Sequence, residues 1–219
     1  MVVGNLICQN GISEILRCIE SVYPIVDEYY IVDGGSTDGT WELLKKYKDV
    51  YNLTLFKNKF VDMEQQRNWL LKKTPKDCWV VNIDQDEKLS IMAIIQLRGV
   101  LDRIEVEKTE VPKSIYIPLY NLVQDPKHAE VDAYLNANKI FYNEEGLTFK
   151  EKYHSCLSKN GSKETFFSYA APDNWGVLHY AWLDPDRIKN LKKDVKSGKR
   201  DYGEMKEGYN KEIGIINLL

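Results

Sequence analysis

Four times in the first 105 residues a short apolar run is followed by turn residues and then by apolar residues at helical spacing. The apolar runs are Val2–Cys8, Tyr29–Val32, Leu53–Phe56 and Trp79–Ile83. Ile12, Ile15, Leu16, Ile19 and Val22 follow the first at helical spacing. Trp41, Leu43, Leu44 and Tyr47 follow the second, with Asp38 placed to cap them. Met63, Trp69, Leu70 and Leu71 follow the third, behind a variant capping box of Asp62 and Gln65, and Thr74-Pro75 ends that helix. Ser90 caps the fourth, which carries Ile91, Ile94, Ile95, Leu101 and Ile104. Strict alternation of this kind predicts an α/β fold, with a single mostly parallel central sheet flanked by helices on both faces. Ligands of such sheets bind at the carboxyl ends of the strands.

The second half is less regular. Ser114–Val123 reads as one strand interrupted by Pro118, and Lys139–Tyr142, Phe166–Ala170 and Gly176–Tyr180 are further strands. Residues 185–205 have a charged helical pattern, and the apolar stretch Ile213–Leu219 needs a partner surface: a packed tail, a dimer contact or the start of a further domain. The expected organisation is one domain over 1–219, with a ligand-binding half at 1–105 and an irregular half and helical tail at 106–219.

Composition narrows the function. A net charge of −3, with 43% hydrophobic and 29% charged residues, suits a globular protein and argues against broad duplex binding. No apolar run approaches the ~18 residues of a membrane span, and no signal peptide is visible ahead of Gln9. Cys8, Cys18, Cys78 and Cys156 lack C-x-x-C spacing, so they are expected as reduced thiols in a cytoplasmic protein.

Two polar clusters fall at strand ends. Asp33-Gly34-Gly35-Ser36-Thr37-Asp38-Gly39-Thr40 lacks the Walker lysine, and Ser36 replaces the second glycine of a dinucleotide fingerprint. What remains is an acid at a strand end that can accept from a base N–H or a ribose hydroxyl, or simply shape a turn. Asp84-Gln85-Asp86-Glu87 leaves the apolar run Trp79–Ile83 with three carboxylates in four residues. Such a group repels itself unless a cation sits among it, and hard oxygen ligands suit Mg2+ or Mn2+ on a diphosphate. A second Asp-x-Asp, Asp184-Pro185-Asp186, reads as a helix-start turn.

Asn5–Asn10, Asp27–Thr40, Gln66-Arg67-Asn68 and Trp79–Glu87 stand in the order and spacing of family 2 glycosyltransferases, which this chain resembles over about its first 90 residues. The resemblance implies a GT-A fold, a nucleotide-sugar donor, with UDP as the nucleotide, and a metal-dependent transfer to a hydroxyl of a glycan or glycoconjugate. It implies that Gln9, Asn10, Asp33, Gly35, Arg67, Asp84 and Gln85 bind the donor nucleotide, and that Asp86 and His179 hold Mn2+ or Mg2+. His154 and Asp173 are the candidates for catalysis, with Glu151 and Asp132 as further acids near them. Gln9-Asn10-Gly11 stands where relatives carry an Asn-Glu pair, and Ser155 follows His154 where many carry an acid. That missing acid makes a non-catalytic nucleotide-sugar or glycan-binding module the alternative. Trp175, after Asp173 and Asn174, is a candidate platform for a sugar face. The basic residues from Lys189 to Arg200 are a solvated helix face, a cation on the diphosphate or a contact to anionic lipid. The chain also resembles the small glycosyltransferases of large algal viruses, which would place it in a host cytoplasm.

Overall fold

The computed structural model describes residues 1–104, 113–122, 128–130, 139–150, 156–160, 167–172, 174–180 and 213–215. Strands β1 (Val2–Cys8), β2 (Glu28–Asp33), β3 (Leu53–Lys57) and β4 (Cys78–Asn82) alternate with helices α1 (Ile15–Val22), α2 (Thr40–Tyr47) and α3 (Met63–Leu71). A short strand β5 (Glu87–Leu89) and helix α4 (Ile91–Leu101) follow. The later strands are β6 (Lys113–Tyr116), β7 (Leu119–Leu122), β8 (His128–Glu130), β9 (Ile140–Asn143), β10 (Leu147–Lys150), β11 (Cys156–Lys159), β12 (Phe167–Ala170), β13 (Val177–His179) and β14 (Ile213–Ile215).

The main sheet has the order β12-β6-β9-β4-β1-β2-β3. β4, β1, β2 and β3 run parallel, whereas β9 lies antiparallel between β4 and β6. The expected parallel core is therefore present. On β1, Val2, Leu6 and Cys8 face the cluster that also buries Ile15, Ile19 and Val22 of α1, Leu44 of α2 and Leu97 of α4. Val3 and Ile7 face the opposite side, where Leu71 and Leu70 of α3 cover them. This period of two, with helices over both faces, is what a parallel sheet needs to bury its strands completely.

Local signals hold where they are strongest. Asp62 caps α3, accepting from the Gln65 N–H at 2.8 Å, and Ser90 caps α4 by accepting from Ala93 N–H. Asp38 stands one residue before the α2 cap, which is Gly39 at φ 97°, yet it still accepts from the Thr40 N–H and hydroxyl. Gly4 is a packing requirement. A Cβ there would lie 2.5 Å from Cδ2 of the fully buried Tyr29. Gly4→Ala is expected to cost about 1–3 kcal/mol through overpacking, read as a lower urea midpoint at constant slope.

Two features differ from the reading of the sequence. Ser114–Val123 is not one interrupted strand: β6 belongs to the main sheet and β7 to a second sheet of order β14-β8-β7-β13-β5. Pro118 has no N–H for a ladder, and its carbonyl instead accepts from Val177 N–H, which hands the chain over to β13. Glu87, read as part of an acidic turn, opens β5 and pairs with His179 across the antiparallel β5–β13 ladder. This second sheet brings residues 177–180 against the end of β4.

Residues 185–205, with the basic segment from Lys189, and Asp184-Pro185-Asp186 lie outside the described residues. Of the apolar tail, only residues 213–215 are described, as β14 against β8. No helix among the described residues is long and apolar enough to cross a membrane. Cys8, Cys18 and Cys78 are buried free thiols.

Candidate functional site

The carboxyl ends of β1, β2 and β4 lie side by side, so the segments that follow them form one edge. After β1, Gln9 and Asn10 are exposed, and Asn10 takes the left-handed conformation at φ 51°, which asparagine tolerates. The Gln85 side chain binds the Gln9 backbone from both sides: its Oε1 accepts from Gln9 N–H at 2.9 Å and its Nε2 donates to Gln9 O at 3.3 Å. It thus continues the β1–β4 alignment beyond the strands. A Cβ at Gly11 would stand 2.7 Å from Gln85 Oε1, so a side chain there would push the Gln85 amide off the Gln9 backbone. Asn10 Oδ1 accepts from Thr37 N–H, and Asn10 N–H donates to Ser36 Oγ, which ties the loop after β1 to the loop after β2.

Asp33 is fully buried at the end of β2. Its Oδ1 accepts from the N–H groups of Gly35 and Ser36 at 2.9 and 3.0 Å, and Oδ2 lies 4.0 Å from the Cys8 thiol. It shapes the turn and presents no oxygen at the surface. Gly35 is exposed at φ 99°.

The acidic cluster separates into two charge groups. Asp84 receives Arg67 Nη2 at 2.7 and 2.8 Å and Lys139 Nζ at 2.9 Å. Lys139 Nζ also lies 2.8 and 2.6 Å from the two Glu87 oxygens. Burial would raise the Asp84 pKa, but Arg67 and Lys139 outweigh it and hold this carboxyl well below its ordinary range. Burial pushes Glu87 up, with Asp84 and Asp86 adding to it, so its charge depends on Lys139. Burial opposes the Lys139 charge, yet Asp84 and Glu87 carry its pKa above the usual value.

Asp86, 4% exposed, faces the other way. Its Oδ2 lies 3.2 Å from His179 Nε2, and its carbonyl accepts from Tyr180 N–H. His179 Nδ1 is 2.8 Å from Asn121 Oδ1, which can only accept, so Nδ1 carries a proton and Nε2 is left toward Asp86. Burial disfavours the charged imidazole, but Asp86, then Glu87, raise its pKa. Nε2 meets Asp86 either as a protonated donor to the carboxylate or, without that proton, as a ligand of a metal ion held between the two. A carboxylate and an imidazole so arranged fit Mn2+ better than Mg2+, which keeps to oxygen ligands. Among the described residues no group of three His, Cys, Asp or Glu is placed to hold a metal. Asp86 and His179 would therefore be joined by oxygens of a ligand and water, the usual state of a phosphate-bound magnesium or manganese.

The structure thus brings Gln9, Asn10, Gly35, Arg67, Asp84, Gln85, Asp86 and His179 to one edge, with Asp33 beneath them. His154, Asp173, Glu151 and Asp132 lie outside the described residues. Trp175 is not a sugar platform. It is 1% exposed, packs in the main core, and its indole N–H donates to Gln96 Oε1 at 2.8 Å. An aromatic beside polar residues reads as a surface feature, but its apolar area is better buried under α4. Lys139 and Asn121 were not singled out from sequence, and Glu87 was read there as one of three carboxylates in the cluster, without a role of its own. A signal for Lys139 existed: three acids in four residues require buried counter-charges, and a lysine heading an apolar strand is a source of one.

Comparison with known proteins adds three findings. Residues 6–111 match the family model described as glycosyl transferase family 2. Over 141 residues the chain is 25% identical to a TPR repeat-containing protein of Synechococcus elongatus, covering 64% of this chain and 31% of that one. Among solved structures, S. aureus TarS (residues 1–349) superposes with a TM-score of 0.57 at 14% identity, covering 90% of this chain and 64% of that chain. The mannosyltransferase PcManGT from Pyrobaculum calidifontis, in complex with GDP-Man and Mn2+, gives a TM-score of 0.57 at 14% identity, covering 91% and 64%. The fold is of the GT-A type. The chain spans less than two thirds of each of these relatives.

Proposed function

We propose, from the place of residues 6–111 in glycosyl transferase family 2, that this protein transfers a sugar from a nucleoside-diphosphate donor to a hydroxyl of a glycan or glycoconjugate. One observation carries the reading: the turn after β4 pairs Asp84 with Arg67 and Lys139 and sets Asp86 against His179, beside the loops that end β1 and β2. UDP is the proposed nucleotide. TarS has been crystallised with UDP and with UDP-GlcNAc, and PcManGT with GDP-Man and Mn2+, which supports a nucleotide sugar and a divalent ion as the ligands.

In this reading Gln9, Asn10 and Gly35 offer backbone and amide groups to the nucleotide from the exposed loops. Arg67 supplies positive charge beside it and orients Asp84 toward the ribose. Asp33 acts through the turn that it holds. Asp86 and His179 would bind the ion, and Asn121 fixes the imidazole so that Nε2 faces it. The ion, when bound, neutralises charge that develops on the departing diphosphate. Breaking the anomeric bond gives an oxocarbenium-like transition state, and an inverting reaction needs a base for the acceptor hydroxyl. We assign that base to His154 or Asp173, and the acceptor side to residues 106–219.

The test is nucleotide release. Full-length protein with Mn2+ and UDP-sugars is expected to release UDP slowly even without acceptor, and faster with one. A module that only binds the donor would release no UDP above background at saturating metal. A thermal-shift panel of nucleoside diphosphates with and without Mn2+ identifies the base. His179→Ala is expected to raise the Mn2+ concentration for half-saturation at least about tenfold, the scale known for groups that merely orient a metal ligand. An unaltered Mn2+ titration curve would remove His179 from the ion's shell.

A further inference from the structure

We propose that Lys139 is a positioning residue that withholds Asp84 and Glu87 from the divalent ion, so that Asp86 is the acid of the turn that meets it. This inference rests on the metal and nucleotide reading above and adds to it a residue that controls the ion's choice of ligand.

The turn carries three carboxylates in four residues. A divalent ion in solution would bind such a group through any pair of them. Two are already engaged. Lys139 Nζ lies within 2.9 Å of Asp84 Oδ2 and within 2.8 Å of both Glu87 oxygens, and Arg67 holds Asp84 from the other side. Two permanent positive charges thus face these two acids. The third acid, Asp86, faces an imidazole, which a metal can use as a ligand where it cannot use an ammonium.

The placement of Lys139 is set by the backbone. Its carbonyl accepts from Asn82 N–H at 2.6 Å, at the end of the β4–β9 ladder, two residues before Asp84. The side chain therefore starts from the strand beside the turn and needs no loop to deliver it. It is 12% exposed, and Glu87 is 4% exposed, so neither is a solvated surface charge. Removing Lys139 would leave Glu87 with the Asp84 N–H at 3.0 Å and without its cation at low dielectric, where a divalent ion gains most from it.

The experiment measures binding of Mn2+ alone, without nucleotide, to the whole protein, by calorimetry or by the signal of free Mn2+ in electron paramagnetic resonance. Lys139→Met is expected to tighten Mn2+ binding about tenfold or more at a pH well above the carboxylate range, because the cation then takes the place of the lysine charge beside Glu87. Glu87→Gln is expected to weaken it by a similar factor, since Lys139 then carries excess positive charge. The double variant is expected to return close to the wild-type affinity. A lysine that merely supports the fold would loosen the site or leave it unchanged on substitution, and either result in a folded Lys139→Met protein overturns the inference. If Lys139→Met does not fold alone, the same step in the Glu87→Gln background decides: tightening supports the inference, and no change overturns it. UDP affinity of the wild type at saturating Mn2+ is measured alongside. Its absence, with the order of Mn2+ affinities as expected, sinks the nucleotide-sugar reading and leaves Lys139 in control of the cation. Its presence with the order reversed does the opposite.

Discussion

Asp86→Ala is expected to lower UDP affinity in the presence of Mn2+ by about 100-fold or more, which is ~2.7 kcal/mol, while the protein remains folded. The fold should survive because the backbone ties at this point do not use the side chain. The Asp86 carbonyl still accepts from Tyr180 N–H, and Glu87 N–H still donates to Asp84 O at 2.9 Å. What disappears is the carboxylate opposite His179 Nε2. The ion would then rely on the imidazole alone and on Asp84 and Glu87, which Lys139 and Arg67 already occupy. Asp86→Asn separates charge from shape, since the amide can keep a hydrogen bond to the imidazole but is a far poorer ligand for a hard cation. Both variants should lose the Mn2+ dependence, and both should show an ordinary circular dichroism spectrum. Unchanged UDP affinity in calorimetry with Mn2+ would refute the placing of the ion at Asp86.

The parallel core was legible because its signals are local and redundant. Val2–Cys8 and Trp79–Ile83 are apolar runs long enough only for strands, and the helices between them announce themselves by spacing and by caps such as Asp62 and Ser90. From those elements the edge that carries Asp33 and Asp84–Glu87 follows by the rule for parallel sheets. The orientation of side chains at that edge was not legible, because it depends on contacts between residues far apart in the chain. Asp33 turns inward because two backbone N–H groups of its own loop take Oδ1. Glu87 enters a strand because His179 of β13, from the far half of the chain, pairs with it. The same holds for Pro118, where a proline inside an apolar run marks either an interrupted strand or a passage between two sheets, and only the partners β9 and β13 decide. The charge balance of the turn was half legible. Arg67 was found through its neighbours Gln66 and Asn68, whereas Lys139 stands alone 52 residues after Glu87.

Arg67→Met is expected to destabilise the protein by about 3–5 kcal/mol, the cost of leaving a buried charge without its partner. Arg67 is 7% exposed, and both of its bonds to Asp84 are shorter than 2.9 Å. Lys139 alone must then serve Asp84 and Glu87 together. For a domain of this size each kcal/mol lowers the melting temperature by roughly 2–4 °C, so a fall of about 6–20 °C should be visible in a thermal melt. The double variant Arg67→Met/Asp84→Asn removes both charges and should recover most of the loss, with a coupling energy of about 1.5 kcal/mol or more. A single variant within about 1 kcal/mol of wild type would show that Lys139, 2.9 Å from Asp84, supports that carboxylate without Arg67. The double variant also distinguishes support of the turn from contact with the nucleotide. If Arg67 served only to hold Asp84, restoring stability through Asp84→Asn would restore UDP binding in proportion. If Arg67 and Asp84 both meet the donor, the stable double variant should still bind UDP poorly, and the residual Nε of Arg67, which has no acceptor among the described residues, gives that second outcome a physical basis.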